Sequence, residues 1–321
     1  MRLDIRYTTR FSYQNPVRNS HNELRACPVS DARQHLVSYR VTTSPLSRIF
    51  AFTDYWGTRV DAFGVRDPHH ALEVTAEAVV ETKQSPVLTA SPRMSKVTDP
   101  NFRELHLEYL ERTAHTDWSE DLAAEARRRT EMVGDDVVSV VLSIHRYVST
   151  SLTYSPGATY IGVPVDEILG RKVGVCQDFA HLAVAMSRAV GIPARYVSGY
   201  LFTIDDSTGA DAAGDVVEVQ THAWWETAIP GWGWWALDPT NGQEVGPRHV
   251  KIGHGRDYGD VPPLRGVFFG PSDHQLDVTV QIRRQSGAAP APVHVAPLQT
   301  SVPVRPATPS SGSQQQQQPE Q

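Results

Sequence analysis

The 321-residue chain reads as an α+β protein, an N-terminal antiparallel β-sandwich followed by a second, mixed α+β region. Three observations predict this. Apolar and polar residues alternate in short segments near the N-terminus, the pattern of half-buried strands. Helical spacing takes over after about residue 100. Strand-like segments punctuated by Gly and Pro then return. Within residues 1–85 the segments Leu3–Tyr7, Leu36–Val41 and Ala71–Val79 are the expected sandwich strands. Residues 86–100, with Pro86, Pro92 and Pro100, read as a linker. Residues 101–152 read as helices, and Asp135 or Asp136 can cap the one carrying Val137, Val140, Val141, Ile144 and Val148. Residues 153–284 finish with the strand pattern Val278, Val280, Ile282. From Ser286 onward Pro, Ala and Ser dominate and five consecutive glutamines follow, so residues 285–321 are expected to be a disordered tail.

Composition narrows the function classes. Hydrophobic residues make up 40% and charged residues 21%, enough apolar material for a real core. The net charge of −6 offers no broad basic field for nucleic acid or an anionic membrane. No apolar stretch has the length of a membrane span, and the start MRLDIRYTTRFSYQ lacks the apolar core of a secretory signal. With only two cysteines, the expected compartment is a reducing cytoplasm. There is no H-E-x-x-H, no C-x-x-C and no Gly-rich phosphate loop, so neither a metal nor a nucleotide cofactor is expected.

Cys176 carries the most information. It sits in Gly174-Val175-Cys176-Gln177-Asp178-Phe179-Ala180-His181, where a glycine turn opens into a helical pattern. A thiol in a first helical turn feels unpaired N–H groups and the positive end of the dipole, which favours the nucleophilic thiolate. Val175, Phe179, Leu182, Met186 and Ala189–Val190 form the buried stripe of that helix, and Gly191-Ile192-Pro193 ends it. Ala194–Leu201 then reads as a strand.

The partners of a thiolate follow downstream. The segment Val216–Thr227 reads as one strand with Glu218, Gln220, His222, Trp224 and Glu226 on one side. Pro230-Gly231 is a turn signal, and Trp234–Asp238 reads as the returning strand. Positions 222 and 238 are symmetric about 230, so the hairpin places His222 and Asp238 opposite each other or nearly so. Cys176, His222 and Asp238 form a nucleophile–base–orienter set.

GVCQDFAHL, GIPARYVSGYL, THAWWE, GWWALDPTNG and GRDYGDVPPLRG together resemble the bacterial branch of the transglutaminase-like superfamily, whose core is papain-like. YTTRFSYQNPV, NELRACP, DYWGTRVDAFGV and PHHALEV resemble the β-domain that precedes that core. The resemblance covers residues 1 to about 284 and implies a transglutaminase-like catalytic domain over 101–284. It also implies Cys176 as nucleophile, His222 as general base and acid, and Asp238 as orienter. The implied chemistry is attack on an amide carbonyl of a peptide or protein, resolved by water (protease or amidase) or by a primary amine (transglutaminase). The acidic, Gly/Ala-rich insertion 205–219 departs from the pattern. A non-catalytic peptide-binding module is the other reading, and an intact set of three residues weighs against it.

Plainer readings fit the remaining features. Cys27 is expected to be structural. His181, five residues after Cys176, points to another side of the helix. Asp178 is a cap or a buried acceptor. Trp224, Trp225, Trp232, Trp234 and Trp235 are core and cleft wall. The Arg256-Asp257-Tyr258 segment reads as an internal ion pair holding its loop, and His69-His70 as a loop. Tyr154 or Tyr160 is a candidate second oxyanion donor beside the backbone N–H of Cys176.

Overall fold

The computed structural model describes residues 1–89, 91–203, 216–271, 273–285 and 313–316. The strands are β1 (Arg2–Leu24), β2 (Gln34–Ser44), β3 (Phe50–Thr53), β4 (Arg59–Val65) and β5 (His69–Thr82). Helices α1 (Pro100–Leu105), α2 (Glu120–Val133) and α3 (Val137–Ser151) follow. Next come β6 (Thr153–Tyr154), α4 (Val165–Arg171), β7 (Val173–Gly174) and α5 (Cys176–Ala189). The chain continues through β8 (Ala194–Leu201), β9 (Val216–Val219), β10 (Thr221–Ile229), β11 (Gly233–Asp238), β12 (Gln243–Glu244) and β13 (His249–Gly255). It ends with β14 (Leu264–Phe269), β15 (His274–Arg284) and β16 (Ser313–Gln316).

The expected sandwich is one sheet curled around β1. The first half of β1 pairs with β5 and β15, and the second half with β4 and β14. The register shifts between Ser12 and Val17, and Asn19 takes a left-handed φ of 50°. Such irregularities bend a strand and let it serve two layers. Leu3, Ile5, Tyr7 and Phe11 alternate inward along the first half, as the period of two requires.

Strands from the region assigned by sequence to the second domain join the N-terminal sheet. β14 and β15 lie within the region assigned to the second domain, yet both pair with β1. The segment read as one strand, 216–227, is split at Gln220. β9 pairs with β15 of the curled sheet, while β10 pairs with β8 of the second sheet. Tyr200, Phe202, Val250 and Ile252 join the same buried cluster as Leu3, Val74 and Ile282. Period-two alternation identifies strands, but it carries no information about which sheet adopts them. Ser313–Gln316 pairs with β14 through backbone groups, which glutamine can do without an apolar face. The rest of the expected tail, from 286 to 312 and beyond 316, lies outside the described residues, as do 205–215 of the insertion.

The second sheet runs β12-β11-β10-β8-β13. Its helices start and stop where the sequence says they should. Ser119 accepts from the Leu122 N–H to cap α2, and Asp136, rather than Asp135, caps α3 through the Ser139 N–H at 2.8 Å. Helix α5 ends in a Schellman arrangement: Gly191 N–H donates to Arg188 O and Ile192 N–H to Ser187 O, both at 2.9 Å. Gly191 takes the φ of +80° that this ending requires. α5 differs from the expected one-sided helix, because every residue from Cys176 to Arg188 is buried. It lies between the sheet and α2, α3 and α4. Arg188, buried near its end, donates to Ala194 O, Glu111 O, Thr116 Oγ1 and Arg256 O, which ties the helix to the start of β8 and to two loops. Among the described residues no helix is long and apolar enough to cross a membrane.

One buried ion cluster joins the sheet to the N-terminal part. Glu226 accepts from Lys251 Nζ at 2.7 and 2.9 Å and from Arg195 Nε at 2.7 Å, with Arg33 at 3.7 Å. Burial alone would push the Glu226 carboxyl up. The three cations outweigh burial and hold it far below the usual carboxylate range. Removing one partner of a buried pair leaves uncompensated charge, at a cost of about 3–5 kcal/mol. Glu226→Ala should therefore lose about that much in denaturant unfolding at pH 7. Because the folded-state value is depressed, the Glu226 contribution is full above the ordinary carboxyl value of about 4.3 and fades as pH falls below it. The gap between wild type and variant should shrink on acidification; a gap that stays constant down to pH 3 would refute the assignment.

Candidate active site

Cys176 is the first residue of α5, and the helix entry is built around it. Val175 has no side-chain acceptor to cap the helix. Asp178 instead reaches back, its Oδ2 accepting the Val175 N–H at 2.9 Å and the Thr159 hydroxyl. Burial pushes the Asp178 carboxyl up, against the pull of those two hydrogen bonds. Gly174 is close-packed for the same reason, since a Cβ there would sit 3.0 Å from the Asp178 carboxylate. Asp178 is thus the expected cap and acceptor, and it also pins the loop that carries Thr159.

The hairpin brings His222 to Asp238 by a slightly different register from the one expected. Ile229 pairs with Gly233 and Trp225 with Leu237, so the hairpin is centred on 231. Its loop is three residues, Pro230 to Trp232, closed by the Trp232 N–H on Ile229 O. Asp238 therefore falls diagonal to His222 rather than directly across. The offset is two residues, which preserves the face. His222 Nε2 lies 2.8 Å from Asp238 Oδ2. The Cys176 thiol hydrogen-bonds the same ring, and with Nε2 on Asp238, the ring's Nδ1 is the nitrogen left to face it. Cys176, Ala180, Tyr196, Ala223, Tyr258 and Val261 form one apolar cluster around the thiol, with Ile161 against it.

The electrostatics follow from burial and from Asp238. Burial alone would lower His222, but the charge and hydrogen bond of Asp238, with a further contribution from Cys176, raise it to about 10. Asp238 is fully buried and still held well below the carboxylate range, because its hydrogen-bonded partners outweigh desolvation. Its Oδ1 accepts the N–H groups of Thr240 and Asn241, at 3.0 and 3.2 Å. Its Oδ2 accepts from Asn241 Nδ2 at 2.7 Å, from His222, and from His249 Nε2 at 3.0 Å.

Sequence reasoning missed His249. It lies at the start of β13, and only the pairing of β13 with β8 brings it to the hairpin. Its sole local signal is a histidine ahead of a strand. His222, Asp238 and His249 also place three potential metal-ligand atoms within 4.8 Å of one another. The carboxylate oxygen among them already takes three hydrogen bonds of 2.7–3.0 Å, so the cluster is filled as a hydrogen-bond node.

The other singled-out residues sort clearly. Cys27 is buried, and desolvation pushes its thiol up to about 12, as suits a structural cysteine. His181 is buried beside Tyr196 and stacked on His115; its Nε2 accepts the Tyr258 N–H at 3.1 Å, and burial lowers it to about 3. The ion pair in the 256–260 loop is Arg256–Asp260 at 3.0 Å, while Asp257 accepts the Gly259 N–H. Tyr154, half-exposed, lies close enough to feel Cys176, whereas Tyr160 is largely exposed. Trp224 and Trp225 are fully buried, and Trp234 carries Arg195 on its face.

The fold and this cluster define a transglutaminase-like, papain-like core with an N-terminal curled antiparallel sheet. Residues 123–239 match the transglutaminase-like superfamily, and residues 3–81 match the bacterial transglutaminase-like N-terminal region. The chain is 37% identical over 290 residues to an uncharacterized protein of Mycobacterium leprae, covering 88% of this chain and 99% of that one. It is 29% identical over 167 residues to a protein-glutamine gamma-glutamyltransferase of Pseudomonas aeruginosa, covering 51% of this chain and 22% of that one. A candidate cysteine protease from Cytophaga hutchinsonii shares the fold, with a TM-score of 0.67, 22% identity, and 92% and 94% of the two chains covered. The chain belongs to the transglutaminase-like superfamily.

Packing behind His222 is tight enough to test. A Cβ on Gly199 would come 2.5 Å from Trp224 Cη2 and 2.3 Å from Val250 O. Gly199 pairs with His222 across β8 and β10. Gly199→Ala should lower the melting temperature by several degrees, an overpacking cost of about 1–3 kcal/mol. An unchanged melting temperature would show that the ring and strand can shift freely.

Proposed function

We propose that this protein is a thiol enzyme that cleaves amide bonds in a peptide or protein through a Cys176 thioester, as a cysteine protease or amidase. The observation that carries the reading is the continuous chain from Cys176 through the His222 ring to Asp238, with His222 Nε2 2.8 Å from Asp238 Oδ2. His222 takes the thiol proton, and Asp238 stabilises the resulting imidazolium. The thiolate sulfur attacks the amide carbonyl carbon, and the carbonyl electrons move onto oxygen. The Cys176 backbone N–H, at a helix N-terminus, is aimed where that oxyanion forms. Tyr154, within electrostatic reach of the thiol, is the better candidate of the two tyrosines to assist. The C–N bond then breaks, and His222 gives its proton to the leaving amine. His222 next draws a proton from water, which attacks the thioester and restores the thiol with release of an acid.

Transamidation is the second reading, favoured by the similarity to the Pseudomonas aeruginosa protein-glutamine gamma-glutamyltransferase. It differs only in the last step, where a primary amine replaces water. Product analysis with and without an added primary amine separates the two.

Two outcomes test the site. Cys176→Ala should abolish acyl-enzyme formation, seen by mass spectrometry after trapping from lysate, while Cys27→Ala keeps it. Equal trapping by wild type and Cys176→Ala would remove the nucleophile assignment. Secondly, iodoacetamide at about pH 7 should alkylate Cys176 fastest in wild type, slowest in His222→Ala and at an intermediate rate in Asp238→Asn. Three equal rates would mean that His222 and Asp238 do not govern the thiol.

A further inference from the structure

Asp238 Oδ2 is shared between two imidazoles. His222 reaches it from β10 at 2.8 Å, and His249 reaches it from β13 at 3.0 Å. The tautomer of His249 is set by its own turn. Its Nδ1 accepts the Gly246 N–H at 3.2 Å, while its backbone N–H returns to Gly246 O at 3.0 Å. A ring whose Nδ1 accepts must carry its proton on Nε2, the atom that faces Asp238. His249 is buried, with Trp224 edge-on at 5.4 Å. It is thus a fixed donor onto the oxygen that holds His222.

We infer that His249 is a positioning residue that weakens the hold of Asp238 on the His222 proton by donating a hydrogen bond to the same carboxylate oxygen. A carboxylate that accepts an extra hydrogen bond has less charge to offer a neighbouring imidazolium. This matters for the amide cleavage proposed above, on which the inference rests for its consequence. An imidazolium held too tightly delivers its proton poorly to the leaving amine. The rotamer of Asp238 does not depend on His249, because Thr240, Asn241 N–H and Asn241 Nδ2 still hold it. The effect is therefore on charge and not on orientation.

Other titratable groups among the described residues face this network. His145 of α3 faces Asp238, Arg33 faces His249, and Cys176 of α5 faces His222. Burial and Arg33 oppose a charge on His249, as does His222, so His249 is held below the ordinary imidazole value despite Asp238.

The test is a nitrogen-15 NMR titration of histidine-labelled full-length protein, with the His222 and His249 signals assigned by substitution. His249→Phe keeps a ring but removes the donor. The midpoint of His222 should rise by about half to one pH unit in that variant. His249→Gln restores an N–H donor and should bring the midpoint back toward wild type. No shift, or a downward one, in His249→Phe overturns the inference. Should His249→Phe fail to fold, wild type alone decides: His249 must be a neutral Nε2–H tautomer at pH 7, and a charged ring or an Nδ1–H tautomer refutes the proposal. The thiol contributes to the His222 midpoint but is present in wild type and in both His249 variants, so the comparison among them isolates His249. Equal alkylation rates would therefore defeat the catalytic reading while leaving this result intact.

Discussion

A fully buried, ionised carboxylate is the constraint around which the site is organised. An unpaired charge in the interior of a protein is too costly to persist, so Asp238 has to be surrounded by donors. Five hydrogen bonds meet that need, and they come from three places in the chain: His222 on β10, His249 on β13, and the 240–241 turn after β11. Satisfying one side chain thus locks the relative positions of three strands of the second sheet. The same satisfaction sets the ionisation of His222. Burial would leave that ring neutral near physiological pH, and Asp238 reverses the outcome.

The thiol side of the site depends on a different kind of constraint, the enclosure of α5. A helix buried along nearly its whole length cannot slide or rotate without opening cavities. Arg188 anchors its end through backbone carbonyls of β8 and of two loops, and Asp178 fixes its beginning. Cys176 is thereby held against Ala223, the neighbour of His222, by packing rather than by any direct cross-link. The N-terminal sheet contributes support from behind. Its core is continuous with Tyr200 on β8, the strand that pairs with that of His222, and with Val250 on β13, which leads into the loop of residues 256–260. β14 and β15 return to β1 and extend that sheet on both halves of the strand.

Glu226 shows how the same logic works away from the chemistry. It lies two positions beyond Trp224 and four beyond His222 on β10, and it is neutralised by cations from β8, β13 and the segment before β2. That cluster ties the second sheet to the N-terminal part through charge, where the shared apolar core ties it through area.

Much of this was readable in the sequence because it is local. The start of α5, its glycine ending, the cap on α3, and the shared face of His222 and Asp238 all follow from periodicity and turn chemistry within short spans. The shared face survived an error in the hairpin centre, since a three-residue loop moved the register by an even number of positions. What tertiary structure alone decided involves residues far apart in the chain. His249 meets Asp238 only because β13 pairs with β8, and Lys251 meets Glu226 for the same reason. The split of 216–229 between two sheets, the return of 264–284 to β1, and the all-round burial of α5 have no local signature. Alternation says that a strand has an inner face; which partner covers that face is settled by the packing of the whole chain.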